Sequence, residues 1–244
     1  MAESFRSKLQ RAANLVLGPM GLNLVRRDRA FTMDGLLARV SARGIRPGTV
    51  IDIGASDGSW SLGARRRFPG ASYLLFEPLE ERRAALGKLQ DTLGFKIVHA
   101  AAGAQRGTVA FSVDPMLDGS GVADPADHQA RTVPVETIDA VVAEHRLTGP
   151  YCLKLDTHGY EVAVLTGATR VLKNTELLII EAYNFQLTPG CLRFHELCAW
   201  LEARGFRCCD LADPMRRPGD GVLWQMDLAF VPVGSPVFTS ARYT

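Results

Sequence analysis

Short apolar runs alternate with amphipathic stretches along most of the chain. Five apolar runs predict buried strands, at 50–53, 71–76, 95–100, 151–155 and 176–180. Between them, stretches such as 59–68, 79–93 and 160–172 repeat apolar residues at helical spacing. Alternating strands and helices predict a doubly wound, mostly parallel α/β sheet. Two later strands, 206–211 and 222–233, follow one another without a helix and predict an antiparallel hairpin at one edge.

Residues 1–30 differ from the domain predicted over residues 31–244. They hold six bases and two acids, a net charge of +4. Apolar residues recur there at the spacing of a short amphipathic helix: Phe5, Leu9, Ala12, Leu15 and Val16. The segment could pack on the domain or on a second subunit of a homo-oligomer, contact a membrane surface, or direct targeting. Gly18 and Pro19 break the apolar stretch and no small-residue cleavage site follows, which disfavours a signal peptide.

The first strand ends in a glycine-rich turn, Asp52-Ile53-Gly54-Ala55-Ser56-Asp57-Gly58, that leads into a helix. Such a turn presents backbone N–H groups and a helix N-terminus to a ligand. Gly54 and Gly58 would allow the backbone to approach that ligand closely. Ser56 stands where the dinucleotide fingerprint has its second glycine. The carboxylate of Asp52 suits a ligand with an amino group better than one with a pyrophosphate.

Glu77 ends the next predicted strand, 23 positions after Gly54, and Pro78 follows it. Near this spacing, an acid at the second strand end reaches ribose hydroxyls. Two hydroxyls can donate to one carboxylate, which makes the contact bidentate and charge-assisted. The alternative is a surface glutamate that begins a helix. The glycine turn upstream favours ribose binding.

Four motifs occur in the order of a known family: VIDIGASDGSWSL, LLFEP, LKLDTHGYEVAVLTGA and ELLIIEAYN. From about residue 49 to about residue 233, the chain resembles the FkbM-type S-adenosylmethionine-dependent methyltransferases. The resemblance implies a Rossmann-like class I methyltransferase fold and S-adenosylmethionine as cofactor. It also implies O-methylation of a hydroxyl on a sugar, glycolipid or polyketide-type small molecule. The expected cofactor contacts, with Ala101 assigned through the resemblance, are Asp52, Gly54, Ala55, Ser56, Gly58, Glu77, Pro78, Ala101 and Asp156.

One motif departs from the family pattern. Where the family commonly has Asp-Val-Glu-Gly, this chain has Asp156-Thr157-His158-Gly159. We predict that His158 is the catalytic base, because an unperturbed pKa of about 6.5 leaves a neutral fraction at physiological pH. Asp156 would orient the imidazole or the sulfonium end of the cofactor. As a base, His158 would add an acidic limb near pH 6–7 to the pH–rate profile. The alternative is a structural role, in which His158 caps the following helix.

Residues near the later strand ends are candidates for binding the acceptor: Glu181, Tyr183, Asn184, Trp224, Gln225 and Asp227. In open α/β sheets, ligands bind beyond the carboxyl ends of the strands. Tyr183 and Trp224 could stack on a sugar ring or pack in the core. A carboxylate inside an apolar strand, as at Asp227, needs a partner or faces a pocket, and Gln225 shares its face.

A divalent cation such as Mg²⁺ is a further candidate cofactor. Asp156, Glu181 and Asn184 offer oxygen ligands at two successive strand ends, and Mg²⁺ is often held by few carboxylates. The same groups could instead hydrogen-bond the cofactor amine or the acceptor. From residue 114 to residue 130, four acids and several Gly and Pro residues break the pattern. This loop could close over cofactor and acceptor, or be a flexible part of the surface.

Composition narrows the function classes. The chain is 47% hydrophobic and 22% charged, as ordinary globular proteins are, and its net charge of +2 gives no reason to expect nucleic-acid binding. Five cysteines without a C-x-x-C pair predict reduced thiols in a cytoplasmic protein. No apolar run approaches the roughly 20 residues that span a bilayer. A NAD-type Rossmann oxidoreductase and a catalytically silent cofactor-binding module are the alternatives to a methyltransferase.

Overall fold

A computed structural model of the chain describes residues 5–25, 30–123 and 127–242, with side chains from residue 9 onward. The strands within these residues are β1 (Thr49–Ile53), β2 (Ser72–Phe76), β3 (Lys96–Val98), β4 (Ala101–Ala102), β5 (Gly107–Ser112), β6 (Gly121–Val122), β7 (Arg131–Glu136), β8 (Tyr151–Leu155), β9 (Thr175–Tyr183), β10 (Phe206–Arg216) and β11 (Leu223–Pro232). The α-helices are α1 (Phe5–Leu17), α2 (Met33–Ala42), α3 (Ser59–Arg65), α4 (Arg83–Leu93), α5 (Ile138–Glu144), α6 (Glu161–Thr166), α7 (Thr169–Leu172) and α8 (Phe194–Glu202). None of the helices described is long and apolar enough to cross a membrane.

Seven strands form the main sheet, in the order β10-β11-β9-β8-β1-β2-β3. Neighbouring strands from β9 through β3 pair in parallel, whereas β11 pairs antiparallel with both β9 and β10. This topology confirms the predicted doubly wound, mostly parallel α/β sheet, with its antiparallel hairpin at one edge.

Helices cover both faces of this sheet. On one face, Ile51, Leu153 and Ile180 pack in a core with residues of α5, α6 and α8. On the other face, Val50 and Leu75 pack with residues of α2, α3 and α4. Because both faces are covered, all five residues of β1 and all five of β8 are buried.

A second sheet of four short strands was not predicted. Its order is β4-β7-β5-β6, and its apolar side chains form a third core cluster with Leu79. The sequence also indicates strands at 108–113 and 131–135, which correspond to β5 and β7, but β4 and β6 have only two residues each. Strands this short carry too little pattern for the sequence to reveal their pairing.

Two predicted boundaries differ from the structure. The predicted helix 160–172 is divided into α6 and α7 at Gly167 and Ala168. A Cβ on Gly167 would lie 2.0 Å from the carbonyl oxygen of Gly103, so only glycine fits at this break. The strand predicted at 206–211 is longer in the structure, since β10 continues to Arg216 through register shifts in its pairing with β11. Pro214, Pro218 and Gly219 are typical of turns, so the sequence does not indicate that the strand continues.

The N-terminal segment contains α1, as predicted. Leu9, Leu15 and Val16 are 61%, 80% and 72% exposed, so α1 does not bury these side chains on the domain. Some predictions lie outside the described residues. They are those that involve Glu3 and residues 26–29, and those that involve the side chains of residues 5–8.

Candidate active site at the strand ends

The sheet order reverses between β1 and β8, and a cavity opens at the carboxyl ends of these strands. In doubly wound sheets, such a switch point is where ligands bind. Six predicted cofactor residues line the cavity: Gly54, Ser56, Glu77, Pro78, Ala101 and Asp156. The turns after β1, β2 and β8 and the start of the small sheet therefore meet at one site.

Gly54 lets the first turn lie directly against the end of β8. Its φ is +78°, and a Cβ at this position would lie 2.0 Å from the carbonyl oxygen of Asp156. The backbone N–H groups of Gly54 and Ala55 donate to the carbonyl oxygen of Phe76, at 3.1 and 3.0 Å. Only glycine fits this close approach and this left-handed conformation without strain.

Glu77 is buried at the wall of the cavity, with 5% of its surface exposed. Its Oε2 accepts a hydrogen bond from the backbone N–H of Ser56 at 2.8 Å, and its Oε1 accepts one from Leu79 at 2.9 Å. Burial raises the pKa of this carboxyl, and these two hydrogen bonds oppose the rise. Each oxygen keeps a second lone pair that can accept a ligand hydroxyl.

Three predicted cofactor residues do not line the cavity: Asp52, Ala55 and Gly58. Asp52 is completely buried and has the parity of Val50, so its side chain points to the face covered by α3, where Ser61 Oγ donates to its Oδ2 at 2.7 Å. Burial raises the pKa of Asp52 to about 6 against the charge of Lys154. This placement differs from the predicted contact with a ligand amino group. Gly58 begins α3 with φ +82°.

Residues of the small sheet and of the irregular loop complete the cavity. The apolar ones are Phe111, Leu117 and Val122. Asp118 holds the loop over the opening: its Oδ1 accepts hydrogen bonds from Arg82 at 2.6 Å and from Ser56 Oγ at 3.3 Å. The sequence indicated a loop here but not which of its residues face the cavity.

His158 lies at the edge of the cavity in a left-handed backbone conformation, with φ +51°. Its Nδ1 is 2.7 Å from the Tyr183 hydroxyl and 3.2 Å from Glu181 Oε2, and its Nε2 is 2.9 Å from the carbonyl oxygen of Asp118. A ring with these partners does not cap α6, which begins after Tyr160 without a side-chain cap.

Glu161 holds the turn that carries His158. Its Oε1 accepts hydrogen bonds from Thr157 Oγ1 at 3.0 Å and from the backbone N–H of Gly159 at 2.8 Å. Glu161 is buried, which raises its pKa. In the sequence, this residue has no feature that distinguishes it from an ordinary acid in the first turn of a helix.

The hydrogen bonds around His158 favour its protonated form. A carbonyl oxygen only accepts, so Nε2 donates to Asp118. The Tyr183 hydroxyl donates to Glu181, which leaves its oxygen and the carboxylate as acceptors for a proton on Nδ1. Burial lowers the pKa of His158, but hydrogen bonding to Glu181 and the charges of Asp156 and Glu181 outweigh it and raise the pKa to about 9.

Lys154 is a buried cation that sequence reasoning missed. Its Nζ forms an ion pair with Asp156 Oδ2. Burial disfavours the charged form of Lys154, but the negative charges of Asp156 and Asp52 have the larger effect and raise the pKa of this lysine. Burial likewise disfavours the charged form of Asp156. The positive charges of Lys154 and His158 have the larger effect, so the pKa of Asp156 is lowered. Asp156 Oδ1 is buried and has no hydrogen-bond partner among the described residues.

The predicted acceptor residues lie outside the cavity lining, and two of them, Glu181 and Tyr183, contact His158. Cross-strand pairing places Gln225 opposite Tyr183 and Asp227 opposite Glu181, and Gln225 donates to Glu181. Burial raises the pKa of Asp227 to about 7. Trp224 packs against Tyr183 and Phe185, and the Asn184 side chain donates to the carbonyl oxygen of Leu223 at 3.2 Å.

One group of side chains in the described residues could hold a metal ion. It comprises Asp156, His158 and Glu181, whose ligand atoms all lie within 4.8 Å of one another. It differs from the predicted set, because His158 takes part and the amide of Asn184 points to Leu223. An imidazole with two carboxylates suits Zn²⁺ or Mn²⁺ better than Mg²⁺.

Comparison with known proteins gave one family match. Residues 52–208 match the methyltransferase FkbM domain. A sequence comparison with curated proteins found no match.

Several solved methyltransferase structures are similar in fold at low identity. The FkbM methyltransferase from Methylobacillus flagellatus KT is 18% identical, with a TM-score of 0.49 over 74% of this chain and 43% of its own. The magnesium protoporphyrin IX methyltransferase from Synechocystis PCC 6803 with bound S-adenosylmethionine is 16% identical, with a TM-score of 0.46 over 95% of this chain and 98% of its own. The chain thus spans less than half the length of the Methylobacillus protein.

Proposed function

Because the chain belongs to the FkbM methyltransferase family, we propose that it methylates a hydroxyl oxygen of a sugar, glycolipid or polyketide-type small molecule. Its cofactor is S-adenosylmethionine. The observation that carries the proposal is the adjacency of two sites. The cavity lined by Gly54, Ser56 and Glu77 opens beside the polar cluster of Asp156, His158 and Glu181.

The residues of the cavity fit this cofactor. Glu77 retains lone pairs for two ribose hydroxyls, and Leu79, Ala101 and Phe111 offer an apolar wall for a base. The buried Oδ1 of Asp156, which has no donor among the described residues, would accept from the cofactor amine or stabilise a positive charge. When bound, S-adenosylmethionine supplies an activated methyl group.

His158 would remove the proton of the acceptor hydroxyl. Methyl transfer needs in-line positioning above all, and an alcohol must also lose a proton during attack. To act as a base, His158 must be neutral and one ring nitrogen must be free of its partner. Displacing the Asp118 carbonyl frees Nε2 on the side of the cavity. Glu181 and Tyr183 would then hold the ring through Nδ1.

Calorimetry tests the cofactor site. We expect S-adenosylmethionine and its demethylated product to bind, and Glu77→Ala to weaken both by at least about ten-fold because two ribose hydrogen bonds are lost. Glu80→Ala is the matched control, because Glu80 is three residues away and its side chain is 78% exposed. Binding of NADH in place of the methyl donor would support an oxidoreductase instead.

Methyl-labelled cofactor tests the acceptor. The enzyme is incubated with separate small-molecule, protein and RNA fractions of a cell extract, and the labelled product is identified by mass spectrometry. We expect the label on an oxygen of a small molecule. Label that enters only protein or RNA would overturn the small-molecule assignment. Cofactor binding without label transfer to any fraction would support a catalytically silent module.

A further inference from the structure

The N-terminal segment, residues 1–30, and the adjoining Phe31 expose a concentration of large apolar side chains. Of the 13 large hydrophobic side chains exposed in the described residues, eight lie between residues 9 and 31. They are Leu9, Leu15, Val16, Met20, Leu22, Leu24, Val25 and Phe31. Single exposed apolar residues are ordinary, but a cluster of this kind marks an interaction surface.

Helix α1 presents an apolar face to solvent, while side chains on its polar side hydrogen-bond to the chain that follows the helix. Leu9, Ala12 and Val16 share one face by their spacing, and all three are exposed. On the other side, Gln10 Nε2 and Asn14 Nδ2 donate to the carbonyl oxygen of Leu24 at 2.9 and 3.1 Å. The chain after α1 thus folds back along the polar side and leaves the apolar face uncovered.

Among the described residues, the hydrogen bonds that join this segment to the domain lie at its end. Arg39 Nη1 donates to the carbonyl oxygen of Ala30 at 2.8 Å. The backbone N–H of Asp213 donates to the carbonyl oxygen of Phe31, also at 2.8 Å. The backbone N–H of Met33 donates to Asp213 Oδ2 at 3.0 Å. Within the described part of the chain, the domain therefore binds the segment at residues 30–33, while Leu9, Ala12 and Val16 of α1 stay exposed.

We propose that the N-terminal segment docks on an anionic phospholipid surface. Residues 1–30 carry a net charge of +4, whereas residues 31–244 carry −2, so the apolar cluster lies in the basic part of the chain. Anionic headgroups attract such a segment while apolar side chains enter the boundary of the acyl chains. With 13 residues, α1 is about 20 Å long, too short to span the hydrocarbon core, and lies in the interface.

Charge distinguishes this partner from a second copy of the chain. Two copies joined through α1 would bring two segments of net charge +4 together, and the like charges would repel. An anionic membrane compensates the same charges. This inference goes beyond the proposed reaction and does not depend on the identity of the acceptor.

Vesicle flotation with the full-length chain tests the proposal. We expect the chain to float with vesicles of phosphatidylcholine and phosphatidylglycerol and to stay in solution with phosphatidylcholine alone. High salt should weaken binding, since it screens the charges. The double variant Leu9→Gln/Val16→Gln should bind anionic vesicles at least about ten-fold more weakly, because it loses buried apolar area at unchanged charge.

A matched variant controls for a general loss of surface apolarity. Met215→Gln/Val233→Gln also removes two apolar side chains about half exposed, at 51% and 48%, but in the domain. It should bind vesicles like the unchanged chain, and all variants should keep their affinity for S-adenosylmethionine, which reports the folded domain. Equal flotation of the α1 variant and the unchanged chain would overturn the proposal. So would a dimer, measured by light scattering, that the α1 variant abolishes while vesicle binding is absent.

Discussion

The Nδ1 atom of His158 lies 3.2 Å from the Oε2 atom of Glu181. This contact, together with Asp156, raises the pKa of the imidazole to about 9 against the effect of burial. The sequence predicted a base with an ordinary pKa. In the free protein, His158 is therefore mostly protonated at pH 7.

We therefore expect kcat/KM to rise with pH up to about 9, rather than to level off above pH 6–7. His158→Ala should remove this limb and lower kcat on the order of 10²-fold, with cofactor affinity nearly unchanged. The exposed His195 provides a control, since His195→Ala should leave the profile intact. An unchanged limb in His158→Ala would assign His158 a structural role.

Glu161 should act as a positioning residue for His158. Glu161→Ala removes the acceptor for Thr157 Oγ1 and Gly159 N–H, so the turn around His158 loosens. We expect kcat to fall about ten-fold with little change in cofactor affinity. Glu161→Gln keeps an oxygen for both donors and should restore most of kcat. If the Gln variant is as impaired as the Ala variant, the role of Glu161 is not to hold this turn.

Gly54→Ala should unfold the domain at lower denaturant concentration. The added methyl group would lie 2.0 Å from the Asp156 carbonyl oxygen, and alanine disfavours a φ of +78°. The expected cost is about 2–4 kcal/mol, combining overpacking and left-handed strain. Gly63→Ala in α3 is the control, because a Cβ there meets nothing within 4 Å and alanine favours a helix. Equal unfolding midpoints for the two variants would contradict the close approach.

Much of the fold and of the cofactor side could be predicted because each feature is local in sequence. The glycine turn and Glu77 are marked by residue type and by spacing along adjacent strands. The sequence has no comparable signal for Phe111 or Val122. These residues reach the cavity through the second, four-stranded sheet, whose strands pair over long distances in the sequence.

The electrostatics could not be read from the sequence, because they depend on which side chains meet. Lys154 lies in an apolar strand, and only the structure pairs it with Asp156. Asp52 was assigned to the cofactor by its place in the motif, but the alternation of side chains along β1 turns it toward α3. Residue type and position therefore predict that these strand ends meet, but not the direction of the Asp52 side chain.

Asp227→Asn should stabilise the protein at alkaline pH. Burial raises the pKa of Asp227 to about 7 from 3.8, so the native state holds this proton more tightly than the unfolded state. The contribution of Asp227 to stability therefore falls as pH rises from about 4 to 7 and is lowest above pH 7. We expect the variant to gain on the order of 2 kcal/mol over the parent at pH 8 and almost nothing at pH 4.

Denaturant melts at several pH values measure this difference. Asp91→Asn, exposed on α4, removes the same charge without burial and should show no comparable pH-dependent gain. A gain for Asp227→Asn that is equal at pH 4 and pH 8 would mean that packing, and not ionisation, limits stability at this position.

Methyl transfer should survive exhaustive chelation. Asp156, His158 and Glu181 could together bind a divalent ion, but the protein supplies its own cations at these carboxylates: Lys154 pairs with Asp156, and protonated His158 lies against Glu181. A metal ion would have to displace the proton on His158 and compete with the ammonium group. We expect the same rate of label transfer before and after treatment with a chelator, and no gain when Mg²⁺, Mn²⁺ or Zn²⁺ is returned. If chelation abolishes transfer, one of these ions restores it, and Glu181→Gln prevents the restoration, then the three side chains form a metal site and the ion, rather than His158, activates the acceptor.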